Sequence, residues 1–514
     1  MGLLGARLTQ SRVTPTAALR KTLIFIHRWL GLVFCLVFTI WFLSGVVMMY
    51  SDYPAIKAQE RLAKAESLHP DTIKLSPAEA YSSLRSQQPP DQISLTMLNG
   101  RPAYRFRGGR SISIVYADNG ETLRWIVQSD AEAIAAHWIE KPAGSGTFQE
   151  ALMAADQWTL GGQFTAIRPL LKFRWPDGQE VYVSGVTGEV AQHTTRSTRT
   201  LAYFGAIPHW LYFAPLRKNG PLWNKIVVWS SGIGTFTSLL GLAVGVWMYS
   251  PSKRYRYDGA PSSIPYRGQK RLHLILGLLF GFVTCTWVFS GLLSMDPFEW
   301  QADDSEAPST VARALRGGRM QLSDFAGKSP SAALRELGTT MFVKELELSA
   351  FGGEPYYLAR EAPHTSTIIP VNGSPFEQFD MDWILRLVSK SLAPLRITEA
   401  RVLTEYDAYY LDRHQQHPLP VLFARVNDSA DSTLYIDLKT ARLVEAYGKR
   451  SRINRWLYHG LHSWNLPWLY RYRPAWDIFV LLLLVGGTCL CITSVILGFD
   501  LIQRKIYFKK EQHS

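Results

Sequence analysis

Four stretches of the chain are almost free of charge: Trp29 to Tyr50, Ile226 to Tyr249, Leu274 to Met295 and Ile478 to Phe499. Each runs for about 22–24 residues, and a helix needs roughly 20 to cross a hydrocarbon core about 30 Å thick. Hydrophobic residues make up an ordinary 47% of the 514-residue chain, so the apolar content is concentrated in these runs rather than general. Long polar regions, 51–200 and 296–452, lie between the first and second runs and between the third and fourth. The pattern predicts a membrane α+β protein with four transmembrane helices and two large domains outside the bilayer.

Basic residues near the spans set the expected orientation. Arg7, Arg12, Arg20 and Lys21 precede the first span with no acid before His27. The short loop between spans two and three carries Lys253, Arg254, Arg256, Arg267, Lys270 and Arg271 against Asp258 alone, and the tail adds Arg504, Lys505, Lys509 and Lys510. The positive-inside rule puts all three segments, and with them both termini, on the cytoplasmic side of a membrane. The expected order is a cytoplasmic basic N-terminus (1–22), span one (23–50), a periplasmic domain (51–200), a periplasmic interfacial segment (201–221) and span two (222–250). A cytoplasmic loop (251–270), span three (271–295), a second periplasmic domain (296–452), a second interfacial segment (453–474), span four (475–501) and a cytoplasmic tail (502–514) follow. The first span is too long for a signal-peptide core and no small-residue cleavage site follows it, so it reads as an anchor. The net charge of +13 is mostly this topology signal and gives no reason to expect nucleic-acid binding. All four cysteines (Cys35, Cys285, Cys489, Cys491) fall within spans, with no Cys-x-x-Cys and no Cys-x-x-Cys-His for covalent haem attachment.

The chain repeats itself. His27-Arg-Trp-Leu-Gly31-Leu opens span one and His273-Leu-Ile-Leu-Gly277-Leu opens span three, an offset of 246. The match continues in register through Phe34 with Phe280, Trp41 with Trp287, Ser44-Gly45 with Ser290-Gly291 and Met49 with Met295. At an offset of 253, Ser76-Pro77 meets Ser329-Pro330, Gly100-x-Pro-x-Tyr104 meets Gly353-x-Pro-x-Tyr357, and Tyr182 meets Tyr435. His209, Pro221, Trp223, Gly234 and Gly245 likewise meet His462, Pro474, Trp476, Gly487 and Gly498. A shared apolar bias does not produce paired His, Pro, Trp and Gly at fixed spacing, so the sequence reads as an internal duplication. Within the large domains, Leu95–Leu98, Asn99-Gly100 and Tyr104–Arg107 read as strand, turn and strand. Ser76-Pro77-Ala-Glu79 reads as a capped helix start. Val181–Val183 and Leu434–Ile436 read as short strands running into turns at Gly188 and near Ala441.

A helix and a small antiparallel sheet, repeated between spans that begin His-Arg-Trp-Leu-Gly, resemble the PepSY-associated transmembrane proteins of bacteria. Ile207-Pro-His209-Trp-Leu-Tyr-Phe and Leu461-His462-Ser-Trp-Asn-Leu-Pro467 are similar to that family's other segment signatures, and the resemblance extends from about Leu23 to Leu501. It implies two periplasmic PepSY-like domains and, by analogy with FoxB-type inner-membrane ferric-siderophore reductases of the family, two haem b groups in a four-helix membrane domain. Some relatives carry a fused cytoplasmic flavin domain. The loop and tail here are too short for one, which leaves an unknown electron donor, a quinol or a cytoplasmic flavoprotein.

Four of the twelve histidines recur between the halves: His27 with His273 and His209 with His462. Haem iron serving electron transfer takes two axial ligands, for which imidazoles are suited. An iron on a pseudo-twofold axis takes one ligand from each half, which pairs His27 with His273 for an inner haem and His209 with His462 for an outer one. The outer histidines are expected just outside the periplasmic ends of spans two and four. The bland alternative for each is an interfacial residue or helix cap; recurrence at both faces argues against it. Gly31 and Gly277, one turn from the inner histidines, suit either close approach of a macrocycle or plain helix packing. His459 competes with His462, but its counterpart is Ala206. His414-x-x-His417 has metal-like spacing in a polar loop and reads as solvated. Trp41, Trp287, Trp223 and Trp476 read as interfacial belt residues. Arg217 and Arg471, with Lys218 and Arg473, sit near the outer histidines as candidate partners for haem propionates or an anionic ferric chelate, with lipid phosphate the alternative.

The reading is a transmembrane haem-dependent oxidoreductase: electrons pass from the cytoplasmic side through two haem b groups to a ferric siderophore in the periplasm, releasing ferrous iron. The siderophore is implied by the resemblance alone. The alternative is a non-redox membrane anchor that presents PepSY inhibitory or binding domains to periplasmic partners, for which paired histidines have no use. Reporter fusions test the orientation: those after Pro261 and at the C-terminus report cytoplasm, and those within 60–190 and 305–445 report periplasm. A cytoplasmic signal from either large domain contradicts it.

Overall fold

The computed structural model describes residues 15–84, 89–109, 111–301, 305–412 and 416–511. Four long helices carry the apolar runs: Pro15–Met48, Gly220–Met248, Gly268–Leu293 and Arg473–Glu511. The shortest has 26 residues and rises about 39 Å, more than the roughly 30 Å of a hydrocarbon core. The first starts earlier and the fourth runs further than the apolar patterns, because neither flank holds a glycine or further proline to stop a helix. They close into a ring in which spans one and three each pack on spans two and four. Val33, Leu36, Ile40 and Leu43 on span one, Leu279 and Phe282 on span three, and Leu482 and Val485 on span four are exposed on the ring's outside. Lipid tails are the solvent for which such a surface is suited.

Small residues set how closely the helices approach. A Cβ added at Gly487 would lie 2.0 Å from the Phe42 ring, and one at Gly486 would lie 2.2 Å from Phe280. Gly234, which stands 253 positions before Gly487, would meet Val288 at 3.0 Å and Phe38 at 3.1 Å.

Both large domains lie between spans whose connection leaves the same end of the bundle, and a shared sheet joins them. Its seven antiparallel strands run in the order Thr365–Pro370, Glu354–Ala362, Glu345–Phe351, Gln92–Leu98, Arg101–Gly108, Ser111–Tyr116 and Thr122–Leu123. At its centre Ser94 lies opposite Glu347, the residue 253 positions later, and Ile93 and Leu95 lie opposite Leu348 and Leu346. The two flanking hairpins turn at Asn99-Gly100 and Gly352-Gly353, where all four residues have positive φ, as type I′ turns require. Helix Pro77–Ser82 starts with the expected Ser76–Glu79 capping box, and helix Pro330–Leu337 is capped by Ser329. Tyr104 and Tyr357 are fully buried, and each hydroxyl donates to a carbonyl, Leu75 O at 2.8 Å and Lys328 O at 2.6 Å. Each domain adds its own four-stranded sheet, containing the strands expected at 181–183 and 434–436, and a covering helix, Gln128–Trp138 or Met381–Leu392. The loop between spans two and three carries a short hairpin, Tyr255–Tyr257 with Ala260–Ser262.

Charges lock the shared sheet. Glu345 takes Arg61 at 2.7 Å and Arg360 at 2.9 Å, while Glu347 takes Arg360 and Arg442, both at 2.6 Å. Burial alone pushes the Glu347 carboxyl up, but Arg442 and Arg360 prevail and hold it below its ordinary 4.5.

Two consequences follow from this packing. Gly487→Leu forces an isobutyl group into the Phe42 ring and prevents the ring of helices from closing, read as loss of the monodisperse detergent-solubilised protein. Glu347→Gln lowers the thermal midpoint at pH 7, with a cost of about 1–3 kcal/mol. A depressed carboxyl contributes its stability above the ordinary pKa and loses it as pH falls through the folded value, so the gap between wild type and variant narrows below about pH 4.5. A gap that persists undiminished at acid pH contradicts the ion-pair account.

Candidate functional site

The ring of helices brings two histidine pairs together. The His27 and His273 ring centres are 6.4 Å apart with planes inclined at 32°, and those of His209 and His462 are 6.0 Å apart at 74°. His27 and His273 stand on spans one and three themselves. His209 and His462 stand on short helices, Ala206–Trp210 and Leu461–Ser463, that precede spans two and four.

These short helices lie just before spans two and four, as expected, and fold back against spans one and three. His209 reaches Ser44 and Trp41, and His462 reaches Ser290, all within spans one and three. The chain reverses after each at a residue in the left-handed region, Leu211 (φ 52°) or Trp464 (φ 50°). Trp223 and Trp476, read from the sequence as belt residues, pin the reversals: Trp223 Nε1 donates to Trp210 O at 2.9 Å and Trp476 Nε1 to Ser463 O at 3.0 Å. Bonding a backbone carbonyl left over at a helix end satisfies a group that would otherwise be costly to bury in lipid.

Hydrogen bonding fixes which nitrogen of each imidazole is free. His27 Nδ1 lies 3.2 Å from Thr237 O, and His209 Nδ1 lies 3.2 Å from Trp41 O; a carbonyl only accepts, so Nδ1 carries the proton. Ser44 and Ser290 donate their own hydroxyls to Trp41 O and Trp287 O, so each accepts from the histidine Nδ1 at 3.0 Å. Thr493 likewise donates to Leu490 O and accepts from His273 Nδ1 at 3.0 Å. All four rings therefore present Nε2 with its lone pair available, the protonation pattern of a metal-ligating histidine. If both rings of a pair held one metal, bonds of about 2.0 Å and about 1.1 Å from nitrogen to ring centre would allow their centres to stand up to about 6.2 Å apart. Both pairs stand near that limit. Ser44, Ser290 and Thr493 were not singled out from the sequence, although Ser44 and Ser290 were visible as a matched pair in the repeat.

Room exists beside the inner pair. Gly31 is one turn above His27 and Gly277 one turn above His273, on the same helix faces. A Cβ at Gly31 would meet nothing within 4 Å, and one at Gly277 only Leu490 at 3.9 Å. On the other side, Gly241 abuts His27, where a Cβ would lie 2.5 Å from Cε1. Each of the four histidines is half-buried. His27 and Ser44 are seventeen residues apart on one helix, as are His273 and Ser290, so the pairs stand about 25 Å apart along the bundle. Phe34, Phe38, Trp41, Phe42 and Trp287 fill the space between, and Trp41 Nε1 and Trp287 Nε1 are buried without a hydrogen-bond partner among the described residues.

Other candidates fall elsewhere. Arg217 stacks over Tyr212 and Trp223, at 5.0 and 4.6 Å, with its Nε buried and unpartnered among the described residues. Arg471 is exposed and paired with Glu405 at 2.8 Å, turned towards the large domain. His459 packs on Tyr458, at 4.5 Å between ring centres, while the ring facing His209 is that of His462. His414 lies outside the described residues. His417, read as solvated, is half-buried and stacks on Tyr410 at 5.0 Å, because the loop folds over the tyrosines of the second domain. No cluster of three or more His, Cys, Asp or Glu with metal-binding geometry occurs among the described residues.

No curated protein matches the chain. The family model for the PepSY-associated TM region matches residues 25–497, from just before His27 into span four. The chain belongs to the PepSY-associated TM region family.

Proposed function

We propose that the chain is a di-haem b-type electron-transfer protein of the bacterial inner membrane, built by internal duplication, with two PepSY-like domains in the periplasm. The observation that carries this reading is that two pairs of histidine rings stand close across the bundle, 6.4 and 6.0 Å between centres, with every Nδ1 hydrogen-bonded and every Nε2 left available to a ligand. The residues fit the group: His27 and His273 would hold the inner haem, and His209 and His462 the outer one, with Gly31 and Gly277 leaving space for a macrocycle edge. Bound haem supplies reversible one-electron chemistry.

The chain's own part is to hold, orient and enclose. Thr237, Thr493, Ser44 and Ser290 keep the rings from rotating and their Nδ1 protonated, which raises the basicity of Nε2. The phenylalanines and tryptophans between the pairs exclude water. The reaction we infer is one-electron reduction of a ferric siderophore at the periplasmic end, with a quinol or a cytoplasmic flavoprotein giving up the electron on the other side. Each electron converts one Fe(III) to Fe(II), a softer ion that hard oxygen ligands hold less well.

Absorption spectra of the purified chain, oxidised and reduced, test the reading. Two non-covalent, six-coordinate low-spin haems per chain, extractable by acidified solvent, are expected; a colourless protein after expression with ample haem overturns it and leaves the anchor reading. Losses follow the pairs: His27→Ala with His273→Ala removes one haem, whereas His27→Ala with His209→Ala damages both. His459→Ala keeps both. Gly31→Leu fills space beside His27 and costs the inner haem while the outer one remains low-spin.

A further inference from the structure

The sequence around His462 departs from that around His209. Arg455 is only 4% exposed, and its Nη1 has no hydrogen-bond partner among the described residues. Nη2 donates to Asn465 O at 2.8 Å, and the guanidinium lies 4.3 Å over the Trp456 ring. The nearby acid, Asp407, is committed elsewhere: it accepts from the Tyr409 and Tyr410 amides at 2.9 and 2.7 Å and from the Tyr435 hydroxyl at 3.1 Å. Trp464 Nε1 and Asn465 Oδ1 are also buried without partners among the described residues. The five residues after Arg455, Trp456–Gly460, form a π-helical turn, a distortion frequent at functional sites. Tyr458 on that turn lies between His459 and His462, at 4.5 and 5.6 Å from their ring centres. Counting back 253 positions, the first half has Ala202, Ala206, Leu211 and Tyr212 in place of Arg455, His459, Trp464 and Asn465. A guanidinium keeps its charge inside a protein, and burying it with a donor left over is costly unless an anion completes it.

We propose that Arg455 and Trp464 form a carboxylate-binding subsite beside His462, present in the second half alone. The carboxylate has two possible sources: a propionate of a haem held by the outer pair, or an acidic group on the incoming ferric chelate. The first rests on the di-haem reading and the second on the reductase reading; the subsite itself rests on neither.

Arg455→Gln and Arg455→Lys in the purified full chain separate these sources, with ferric citrate as the acidic chelate and an uncharged ferric trihydroxamate as the comparison. If a propionate occupies the subsite, Arg455→Gln lowers the reduction midpoint of one haem, since a positive charge near the iron is lost, and leaves both KM values alone. If the chelate occupies it, KM for ferric citrate alone rises about ten- to hundred-fold, the worth of a hydrogen bond to a charged group, whatever loss of the Arg455 charge does to the midpoints. Arg455→Lys, which keeps the charge and loses the fork, gives a smaller effect of the same kind and serves alone if the glutamine variant does not fold. Unchanged midpoints and unchanged KM overturn the proposal. A colourless wild type refutes the di-haem reading but leaves the subsite testable: acetate, compared with chloride at equal ionic strength, then raises the thermal midpoint of wild type and not of Arg455→Gln. Equal response of the two proteins overturns it.

Discussion

Each of the four paired imidazoles is tied through Nδ1 to a neighbouring helix, and the bundle around them is arranged so that these bonds can form. An unrestrained histidine ring rotates about two bonds and presents either nitrogen. Here the proton is drawn to Nδ1 by Thr237 O, Trp41 O or a hydroxyl whose own proton is already spent on a carbonyl. Inside a bilayer that bond has little competition from water, so it settles both tautomer and ring direction. Close helix contacts at Gly234, Gly486 and Gly487 bring the spans near enough for it. The backbone reversals at Leu211 and Trp464, held by Trp223 and Trp476, deliver the outer rings to Ser44 and Ser290.

The large domains contribute a second constraint. Strands 92–98 and 345–351 pair at the centre of one sheet, so the connections from both pairs of spans are fastened to a common scaffold. Ion pairs through Glu345 and Glu347 tie strands and the Arg61 segment of both domains into that seam. This scaffold carries chemistry that is not symmetric: Arg455, His459 and the distorted turn that holds His459 have no like counterpart 253 positions earlier. Symmetry suits holding two equivalent ligands, whereas a subsite for a single asymmetric partner needs one side to differ.

Much of this was legible in the sequence, for identifiable reasons. Charge-free runs of bilayer length mark the spans because nothing else explains them, and the recurrence of His27 and His209 at fixed offsets anticipates which histidines the fold brings face to face. Asn99-Gly100 and Ser76-Pro77 carry their local structure in their own chemistry. What depends on contacts between distant segments was not readable. The bond from His209 to Ser44 joins residues 165 positions apart, and nothing local to either marks it. The inward fold of the segments bearing His209 and His462 was not readable for the same reason, since it rests on bonds to Ser44 and Ser290 in distant spans. Arg455 escaped because the repeat directed attention to residues with counterparts, and its significance lies in having none.

The proposed di-haem reading makes one spectroscopic demand of these histidines. Imidazole planes near parallel, as in the inner pair at 32°, give a low-spin ferric centre of ordinary rhombic type, while planes near perpendicular, as in the outer pair at 74°, give one of much larger anisotropy. Low-temperature electron paramagnetic resonance of the oxidised full chain measures this directly. The account predicts two low-spin ferric signals of these two types in equal amounts, with the strongly anisotropic one lost in His462→Ala and the rhombic one lost in His273→Ala. A chain with no ferric haem signal, or with a high-spin signal from either site, contradicts it.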